Sequence, residues 1–378
     1  MYDLIAIVIV LISVLFIILI RNIENLFLKR VFNWFPPILF AYLIPALITN
    51  FLNLDLSNVF IHNFSKGLII PIAIICVMSA MSLSQLKIVG FKPLVLFLSG
   101  SLIIALLPPL LVFITKFIDI DFYTQILDEE IWKGLVTIVG SWIGGSTSQL
   151  VLKELVNCSE ELFVSVLVID NILVNIWTIT MFQNIRRSDK INRILKIDDE
   201  KPKEIERIDL DKKNTSILLT FIIIFLISFF FYFLQLDFLI TVISLSFIGI
   251  LIGNIFDFWS FQSTLKFGEI LILVIMSILG LKLNFQSLYI PNEMIILSII
   301  WLLLHYIGMT IVAWKLNLHA AWIPIASMAN LGGISTAPAV TAAYEKKWMP
   351  HAIVLSILSM VTGTMWGVLT IFIFERFI

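Results

Sequence analysis

The chain has 378 residues, of which 60% are hydrophobic and only 13% are charged. Soluble domains carry about 25% charged residues, so this composition excludes a water-soluble globular protein. A formal net charge of −1 offers no basic surface for nucleic acid. The two cysteines, Cys76 and Cys158, are too few for a disulfide scaffold or a zinc site.

The charged residues are concentrated in one stretch. Residues 183–215 contain 18 of the 51 charged side chains, ten of them basic and eight acidic. This pattern divides the chain into two apolar blocks, residues 1–182 and 216–378. We interpret the charged stretch as a cytoplasmic linker that joins two transmembrane repeats.

Each block contains five runs of the length and hydrophobicity of a membrane span. A bilayer core about 30 Å thick requires about 20 apolar residues per helix. The first run lacks the basic n-region and small-residue cleavage site of a signal peptide, so we interpret it as a span. The predicted spans are 4–20, 37–53, 67–85, 93–115, 162–182, 216–236, 238–254, 268–284, 293–314 and 350–374.

One further run in each block, 133–156 and 320–343, is interrupted by a pair of glycines. These are Gly144-Gly145 and Gly332-Gly333, which lie 188 residues apart. Glycine is a poor helix former, and the hydroxyls that follow each pair compete for backbone hydrogen bonds. Irregular backbone at membrane depth is tolerated only where it is buried in protein or lines a cavity. A kinked, well-packed helix would explain one such run, but two matching runs favour a functional pair.

Lysine and arginine positions predict how these runs are threaded. Basic residues follow the first span, separate the third from the fourth and follow the fifth, whereas residues 119–130 are acidic and contain no basic residue. The positive-inside rule places the basic segments in the cytoplasm and the acidic segment outside. All of these assignments hold if 133–156 is a re-entrant hairpin that enters from outside. A broken spanning helix remains the alternative.

Five spans per block is an odd number, so the second block is predicted to be inverted relative to the first. Inverted repeats with discontinuous elements near the midplane are typical of secondary transporters. The predicted fold is therefore an all-α polytopic membrane protein with two inverted repeats. Each repeat has about five transmembrane helices plus one re-entrant hairpin or broken helix.

Three motifs resemble a known family. Gly-Ser-Trp-Ile-Gly-Gly-Ser at 140–146, Val-Ile-Asp-Asn at 168–171 and Asn-Leu-Gly-Gly-Ile-Ser-Thr-Ala-Pro-Ala at 330–339 resemble the bacterial domain of unknown function 819 family. The resemblance covers nearly the whole chain apart from the linker. It implies a fold similar to sodium/glutamate symporters, 2-hydroxycarboxylate transporters and proton antiporters, and it implies no substrate. Gln149 and Lys153 depart from the family pattern.

Asp170 is the first candidate for ion coupling. It lies near the middle of an apolar predicted helix, where a charge is costly and usually faces a cavity or a partner. Asn171 and Asn175 lie on the same face, so the three side chains offer hard oxygen ligands for Na⁺. The same carboxyl could carry a proton instead, or could only bond a neighbouring helix.

The residues after each glycine pair are candidates for substrate binding. Ser, Thr and Asn cap helix N-termini, and a helix N-terminus favours an anion. Asn330 could add a side-chain amide. On the last predicted helix, hydroxyls could add ligands or only pack the helix, and His305 could relay protons or only bond a neighbour. The candidate substrate-binding residues are Ser146, Thr147, Ser148, Asn330, Ser335 and Thr336, and the hydroxyls of the last helix are Ser356, Ser359, Thr362 and Thr364.

These observations predict a secondary active transporter in the bacterial cytoplasmic membrane. It would move a small organic anion by alternating access, coupled to Na⁺ or H⁺ through Asp170, with no other cofactor. The alternatives are a cation/proton antiporter, a passive channel or a membrane-embedded enzyme. No nucleophile–base pair or metal motif supports an enzyme. Partners other than the substrate anion and the lipid bilayer are not indicated, although a homodimer is left open.

Overall fold

The computed structural model contains helices and no strands among the residues that it describes. The described residues are 2–21, 23, 25, 32, 37–199, 201–205, 215–283, 285, 289–342 and 344–377, without the side chains of Ser335 and Phe377. In this part of the chain, ten helices are long and apolar enough to cross a membrane. The predicted all-α polytopic membrane protein is confirmed.

The first block and the start of the linker form eight helices, which we number in chain order. They are α1 (Tyr2–Arg21), α2 (Pro37–Phe51), α3 (Phe60–Phe64, a π-helical turn Ser65–Ile69 and Ile70–Met78), α4 (Phe91–Ile118), α5 (Ile120–Asp128), α6 (Ile131–Leu155), α7 (Glu160–Arg186) and α8 (Ser188–Leu195). The linker prediction therefore needs one refinement, because α7 and α8 extend helical structure to Leu195.

The second block forms seven helices in a matching order. They are α9 (Ile217–Leu234), α10 (Phe238–Ile255), α11 (Phe261–Gly280), α12 (Asn292–Lys315), α13 (Trp322–Leu331), α14 (Gly333–Ala342) and α15 (Met349–Phe377). Four helices precede the interrupted element in this block, and one long helix follows it. Each of the ten predicted spans corresponds to a helix.

The largest errors in the predicted spans are at the start of α11 and at both ends of α3. The run predicted at 268–284 begins at Phe261 in the structure, because the Ser260 side chain accepts a hydrogen bond from the Ser263 backbone N–H and caps α11 there. The first turn of α11 is polar, so hydrophobicity places its start too late. Similarly, α3 begins at Phe60 and not at residue 67.

The chain folds into two compact units that do not follow the two sequence blocks. Unit 1 contains Met1–Ala80, Ser159–Ile172 and Asp211–Ile290, and unit 2 contains Met81–Cys158, Leu173–Leu210 and Pro291–Ile378. Each unit takes segments from both blocks, as inverted repeats with exchanged helices would. The repeat boundaries at residues 182 and 216 stay a prediction.

Unit 1 is built on reciprocal helix packing. Helix α2 packs on α11, and helix α10 packs on α3 in the same way, while α3 and α11 contact each other. Both reciprocal pairs include close backbone contact: a Cβ on Gly280 would lie 2.0 Å from the Tyr42 carbonyl oxygen, and one on Gly253 would lie 2.3 Å from the Ser79 carbonyl oxygen. In unit 1 the Tyr42 hydroxyl also donates to a carboxylate oxygen of Glu160 at 2.7 Å.

In unit 2, helix α6 is not a straight helix, because the chain doubles back at Gly145. A Cβ on Gly140 would lie 2.8 Å from the backbone nitrogen of Gln149. In a straight helix, nine residues rise about 13.5 Å along the axis. The two limbs of α6, residues 131–144 and 146–155, therefore lie side by side.

Contacts with helix α15 show the direction of the two limbs of α6. The Trp132 ring, near the start of the first limb, lies 5.4 Å from the Phe374 ring, centroid to centroid. Gly144, at the reversal, lies against Gly363 in the middle of α15. The second limb then returns, because Leu152 lies against Gly367. Both ends of α6 thus lie toward the C-terminal end of α15, and the reversal lies near its middle.

The linker holds both ends of the second interrupted element, residues 322–342. Before this element, the Asn192 side-chain oxygen accepts from the Ala320 N–H at 2.8 Å. After it, the Ile205 N–H donates to the Lys347 carbonyl at 3.0 Å, and the Lys203 carbonyl bonds a ring nitrogen of His351 at 2.8 Å. We call residues 197–199 and 201–205 the linker strap.

The linker strap also reaches the residues that precede the second interrupted element. The Asp198 N–H donates to the Asn317 side chain at 3.1 Å, and Lys201 pairs with Asp189 at 3.2 Å. The Trp322 ring at the start of α13 lies 4.9 Å from the His351 ring, centroid to centroid, and residues 201–205 span at most about 18 Å. A spanning helix would separate its ends by about 30 Å. Both ends of 322–342 therefore lie at the N-terminal end of α15, where His351 is.

The same Asp189 bonds a buried histidine at the entry to α13. His319 Nε2 lies 3.4 Å from an Asp189 carboxylate oxygen, and its Nδ1 accepts from the Ala321 N–H at 3.2 Å. Burial lowers the pKa of His319 more than the Asp189 charge raises it. The ring is therefore neutral at pH 7, with its proton on Nε2.

We expect the buried contacts of the linker to matter more than its surface ion pairs. Asn192→Ala leaves the buried Ala320 N–H without an acceptor, which should cost about 1–3 kcal/mol of stability. Glu204→Gln breaks only the exposed pair with Lys347, worth below about 1 kcal/mol. The measurement is the thermal unfolding midpoint in detergent. Equal midpoints for the two variants would contradict this account.

Candidate functional site

Both interruptions lie at the second glycine of a pair, as the sequence predicts. Gly145 has φ 66° and ψ −161°, a backbone conformation essentially restricted to glycine. Gly333 has φ 59°, also in the left-handed region. No atom lies within 4 Å of where a Cβ would be at either glycine, so backbone conformation and not space selects the residue.

The two interruptions meet at one side chain of α15. The Ser359 hydroxyl oxygen lies 2.5 Å from the Ile143 carbonyl oxygen and 3.0 Å from the Asn330 side-chain oxygen. Ile143 is two residues before Gly145, and Asn330 is three residues before Gly333. Elements that lead in from opposite ends of α15 therefore converge near its middle.

A second hydroxyl completes this group. The Ser101 hydroxyl of α4 lies 3.1 Å from the Asn330 side-chain oxygen and 3.2 Å from the Phe97 carbonyl. We call Ser101, Ile143, Asn330 and Ser359 the tip cluster. Each of its residues is at most 1% exposed. The Asn330 amide nitrogen is buried and has no hydrogen-bond partner among the described residues.

The predicted hydroxyls after the first interruption have different environments. Ser148 accepts from the Thr364 hydroxyl at 3.0 Å, which joins the second limb to α15. The Thr147 hydroxyl is buried without a partner, and Ser146 is half-buried. The Gln149 side-chain nitrogen is also buried and unpartnered. The start of the second limb therefore presents polar groups that no group in the described part of the chain satisfies.

The predicted residues after the second interruption are less well defined. Thr336 is half-buried and already has an interaction partner. The Ser335 side chain lies outside the described part of the chain. Among the hydroxyls of α15, the structure brings Ser359 and Thr364 to the interruptions, whereas the buried Ser356 hydroxyl has no partner and Thr362 bonds only backbone carbonyls of its own helix.

The predicted ion-coupling residues lie on α7. Asp170 is 8% exposed and belongs to unit 1 with Asn171, whereas Asn175 belongs to unit 2. None of the three lacks an interaction partner. The prediction that they share one helix is confirmed, and their role in ion coupling stays a prediction.

His305 lies in a buried polar group of unit 2. Its Nε2 lies 3.1 Å from the Ser327 hydroxyl, which also accepts from the Trp177 indole N–H at 3.0 Å. The other ring nitrogen, Nδ1, is buried without a partner. Hydrogen bonding to a neighbouring helix therefore explains part of His305 but not Nδ1.

Sequence reasoning missed Ser101 and the Ile143 carbonyl. A serine beside a glycine in the long apolar helix α4 resembles a packing residue, and a backbone carbonyl has no sequence signal. It also missed the buried stack of Trp142 on Trp301, whose ring centroids are 4.1 Å apart. The one available signal was Gly100-Ser101, a small polar pair in the middle of a 28-residue helix.

A family model described as "Protein of unknown function (DUF819)" matches residues 6–377. The chain belongs to this family. The match spans both interruptions, α7 and the linker, so the predicted resemblance is confirmed over nearly the full chain. No curated protein and no solved structure matches the chain. Function in this DUF819 protein must therefore be inferred from its own residues.

The described residues of this DUF819 protein contain no group of three or more His, Cys, Asp or Glu side chains that could hold a metal ion. The polar atoms at the interruptions are hydroxyls, amides and backbone groups. Any ion or substrate bound there would therefore be recognised by neutral dipoles and by helix ends.

We expect the contact between the first interruption and α15 to tolerate no added methyl group. A Cβ on Gly363 would lie 2.4 Å from Gly144 Cα, whereas one on Gly308 would meet only the flexible end of Ile103 at 2.7 Å. Both changes to alanine gain similar helix propensity. Gly363→Ala should therefore be less stable than Gly308→Ala by about 1–3 kcal/mol, measured as thermal unfolding in detergent. A smaller effect at Gly363 would disprove the close contact.

Proposed function

We propose that this protein is a secondary active transporter that moves a small organic anion by alternating access, coupled to Na⁺ or H⁺. One observation carries the proposal: two interrupted elements from opposite ends of α15 meet at Ser359. Secondary transporters place substrate and ion sites near the midplane, where discontinuous helices meet.

The lengths of the limbs support re-entrant hairpins. The limbs of α6 have 14 and 10 residues, about 21 and 15 Å of helix, and α13 and α14 have 10 residues each. A limb of this length enters a bilayer core of about 30 Å and ends near its middle. Because both ends of each element lie at one end of α15, neither element needs to cross the membrane.

The order of the helices supports inverted repeats. Four helices, one interrupted element and one long helix occur in each block, if the short α5 is set aside. The reciprocal packing of α2 on α11 and of α10 on α3 is what a two-fold relation between blocks would produce. This arrangement would expose the central site alternately to the two sides of the membrane.

The chemistry of the interruptions supports an anionic substrate. The second limb of α6 and helix α14 begin at the interruptions, and helix N-termini offer free N–H groups and partial positive charge. The buried Gln149 amide and Thr147 hydroxyl add unsatisfied polar groups at one of these starts. The buried Lys153 is paired with Glu154 at 3.1 Å, so a carboxylate would be held mainly by neutral donors.

Asp170 is the proposed coupling residue. It is a buried acid in the middle of an apolar helix, and such groups are retained in membranes mainly for function. Protonation of Asp170, or binding of Na⁺ to Asp170, Asn171 and Asn175, would link ion and substrate movement. Exchange of Na⁺ for H⁺ without any organic substrate would favour the antiporter alternative.

Thiol labelling tests the orientation of the two hairpins. The native cysteines are buried, so they form a silent background for Glu129→Cys near the start of α6 and Glu204→Cys in the linker strap. A membrane-impermeant maleimide should label Cys at 129 in intact cells and Cys at 204 only in inverted vesicles. Labelling of both from one side would contradict opposite hairpins.

Uptake assays test the transporter itself. A thermal-shift screen of small mono-, di- and tricarboxylates, with and without Na⁺, should find a stabilising ligand, which is then followed in proteoliposomes. Asp170→Asn should lower gradient-driven accumulation at least about tenfold, because the variant cannot lose a proton and binds a cation weakly. Asp55→Asn, on an exposed loop, should have no effect. Unchanged accumulation by Asp170→Asn would rule out this coupling role.

A further inference from the structure

The tip cluster contains more oxygen–oxygen contacts than hydroxyl protons that could form hydrogen bonds across them. Four oxygen–oxygen contacts of 2.5–3.2 Å join the Ser101 and Ser359 hydroxyls to the Phe97 and Ile143 carbonyls and to the Asn330 side-chain oxygen. Two hydroxyl protons can fill only two of these contacts. With the Asn330 amide oriented so that its oxygen faces the two serines, the other two contacts bring buried acceptors together without a donor.

Helix ends add negative charge at the same place. The first limb of α6 ends at the first interruption, and α13 ends at the second. The last carbonyls of a helix lack intrahelical partners, and a helix C-terminus carries about half a negative charge. The Ile143 carbonyl is one of these groups, and Asn330 lies in the last turn of α13. The end of the first limb therefore directs its partial charge at the tip cluster, and the last turn of α13 contributes the Asn330 side chain to it.

The geometry points to a Na⁺ site in the tip cluster, formed by the Ile143 carbonyl and the oxygens of Ser101, Asn330 and Ser359. A cation bound among these oxygens would attract the acceptors that no proton bridges. Only neutral oxygens line the cluster, which suits a monovalent ion, because Ca²⁺ sites in proteins are built largely from carboxylates. Asp170, which belongs to unit 1, is not one of these ligands.

The Asn330 amide gives the site two states. If the amide rotates by 180°, its nitrogen can donate to both serines, and each serine can donate to a carbonyl, so all four contacts are filled without an ion. Na⁺ binding requires the other orientation, with the oxygen toward the serines. Ion occupancy would thus control which atom of a buried side chain faces Gly100, since the amide nitrogen now lies 3.4 Å from a Cβ built there.

The Na⁺ site rests on the proposed transporter function only for the role of the bound ion in transport. Na⁺ binding itself can be measured without a substrate. The probe is Na⁺ alone: the purified full-length protein is unfolded thermally in NaCl from zero to about 200 mM, with choline chloride holding ionic strength constant and KCl as a second series. The midpoint should rise with NaCl more than with KCl.

The variants locate the site. Ser359→Ala and Asn330→Ala should raise the Na⁺ concentration for half the effect at least about tenfold, because each removes one oxygen of four. Ser298→Ala, which removes a buried hydroxyl of α12 outside the cluster, should change it less than about twofold. Asn330→Asp should keep or strengthen the Na⁺ response. A carboxylate keeps the ligand oxygen but cannot donate to the serines, so a purely hydrogen-bonding role would show no Na⁺ response in that variant.

Two results would overturn the site. One is a wild-type midpoint that does not depend on Na⁺. The other is a Na⁺ response that persists in Ser359→Ala and Asn330→Ala but disappears in Asp170→Asn, which would move the ion to α7. Either result leaves the transporter proposal to be judged by carboxylate uptake, so failure of one is distinguishable from failure of the other.

Discussion

The need to satisfy backbone groups away from water determines how this protein is built. A helix that stops inside a membrane leaves carbonyl and N–H groups without partners, and each costs several kcal/mol in hydrocarbon. Here the Ser359 hydroxyl meets the Ile143 carbonyl at the end of one half-helix, and the same hydroxyl meets Asn330 near the end of another. One side chain of α15 thus donates to a carbonyl at the first interruption and also lies against Asn330 at the second.

The charged linker is also part of the fold. It contacts the N-terminal end of α15, whereas both ends of α6 lie toward the C-terminal end of that helix. Its contacts with Asn317, Ala320, Lys347 and His351 hold the two ends of the second interrupted element near each other. A hairpin whose ends are held can place its reversal at a fixed depth. The linker, which its charge content indicated only as a solvated connection, therefore also positions the second interruption.

The interruptions separate two kinds of charge over a short distance. The first limb of α6 ends at the tip cluster and directs partial negative charge there, and the second limb begins beside Thr147 and Gln149 and directs partial positive charge toward them. A cation and an anion can therefore be accommodated close together without a Lys or Arg side chain at the reversal. This economy of ionised groups fits a site in a low-dielectric membrane interior, where each isolated charge is costly.

The sequence by itself determined the membrane class, the presence of a helix at each predicted span and both glycine interruptions, because hydrophobicity and local backbone conformation are properties of neighbouring residues. Helix starts such as Phe261 were misplaced, since a polar first turn hides a capped helix end. Only the tertiary structure decided which groups meet at the interruptions and that each compact unit draws on both blocks. Ser359 and Ile143 are 216 residues apart, and Ser101 and Asn330 are 229 apart. Such pairs depend on how helices pack, and one apolar helix carries no local mark of its partner.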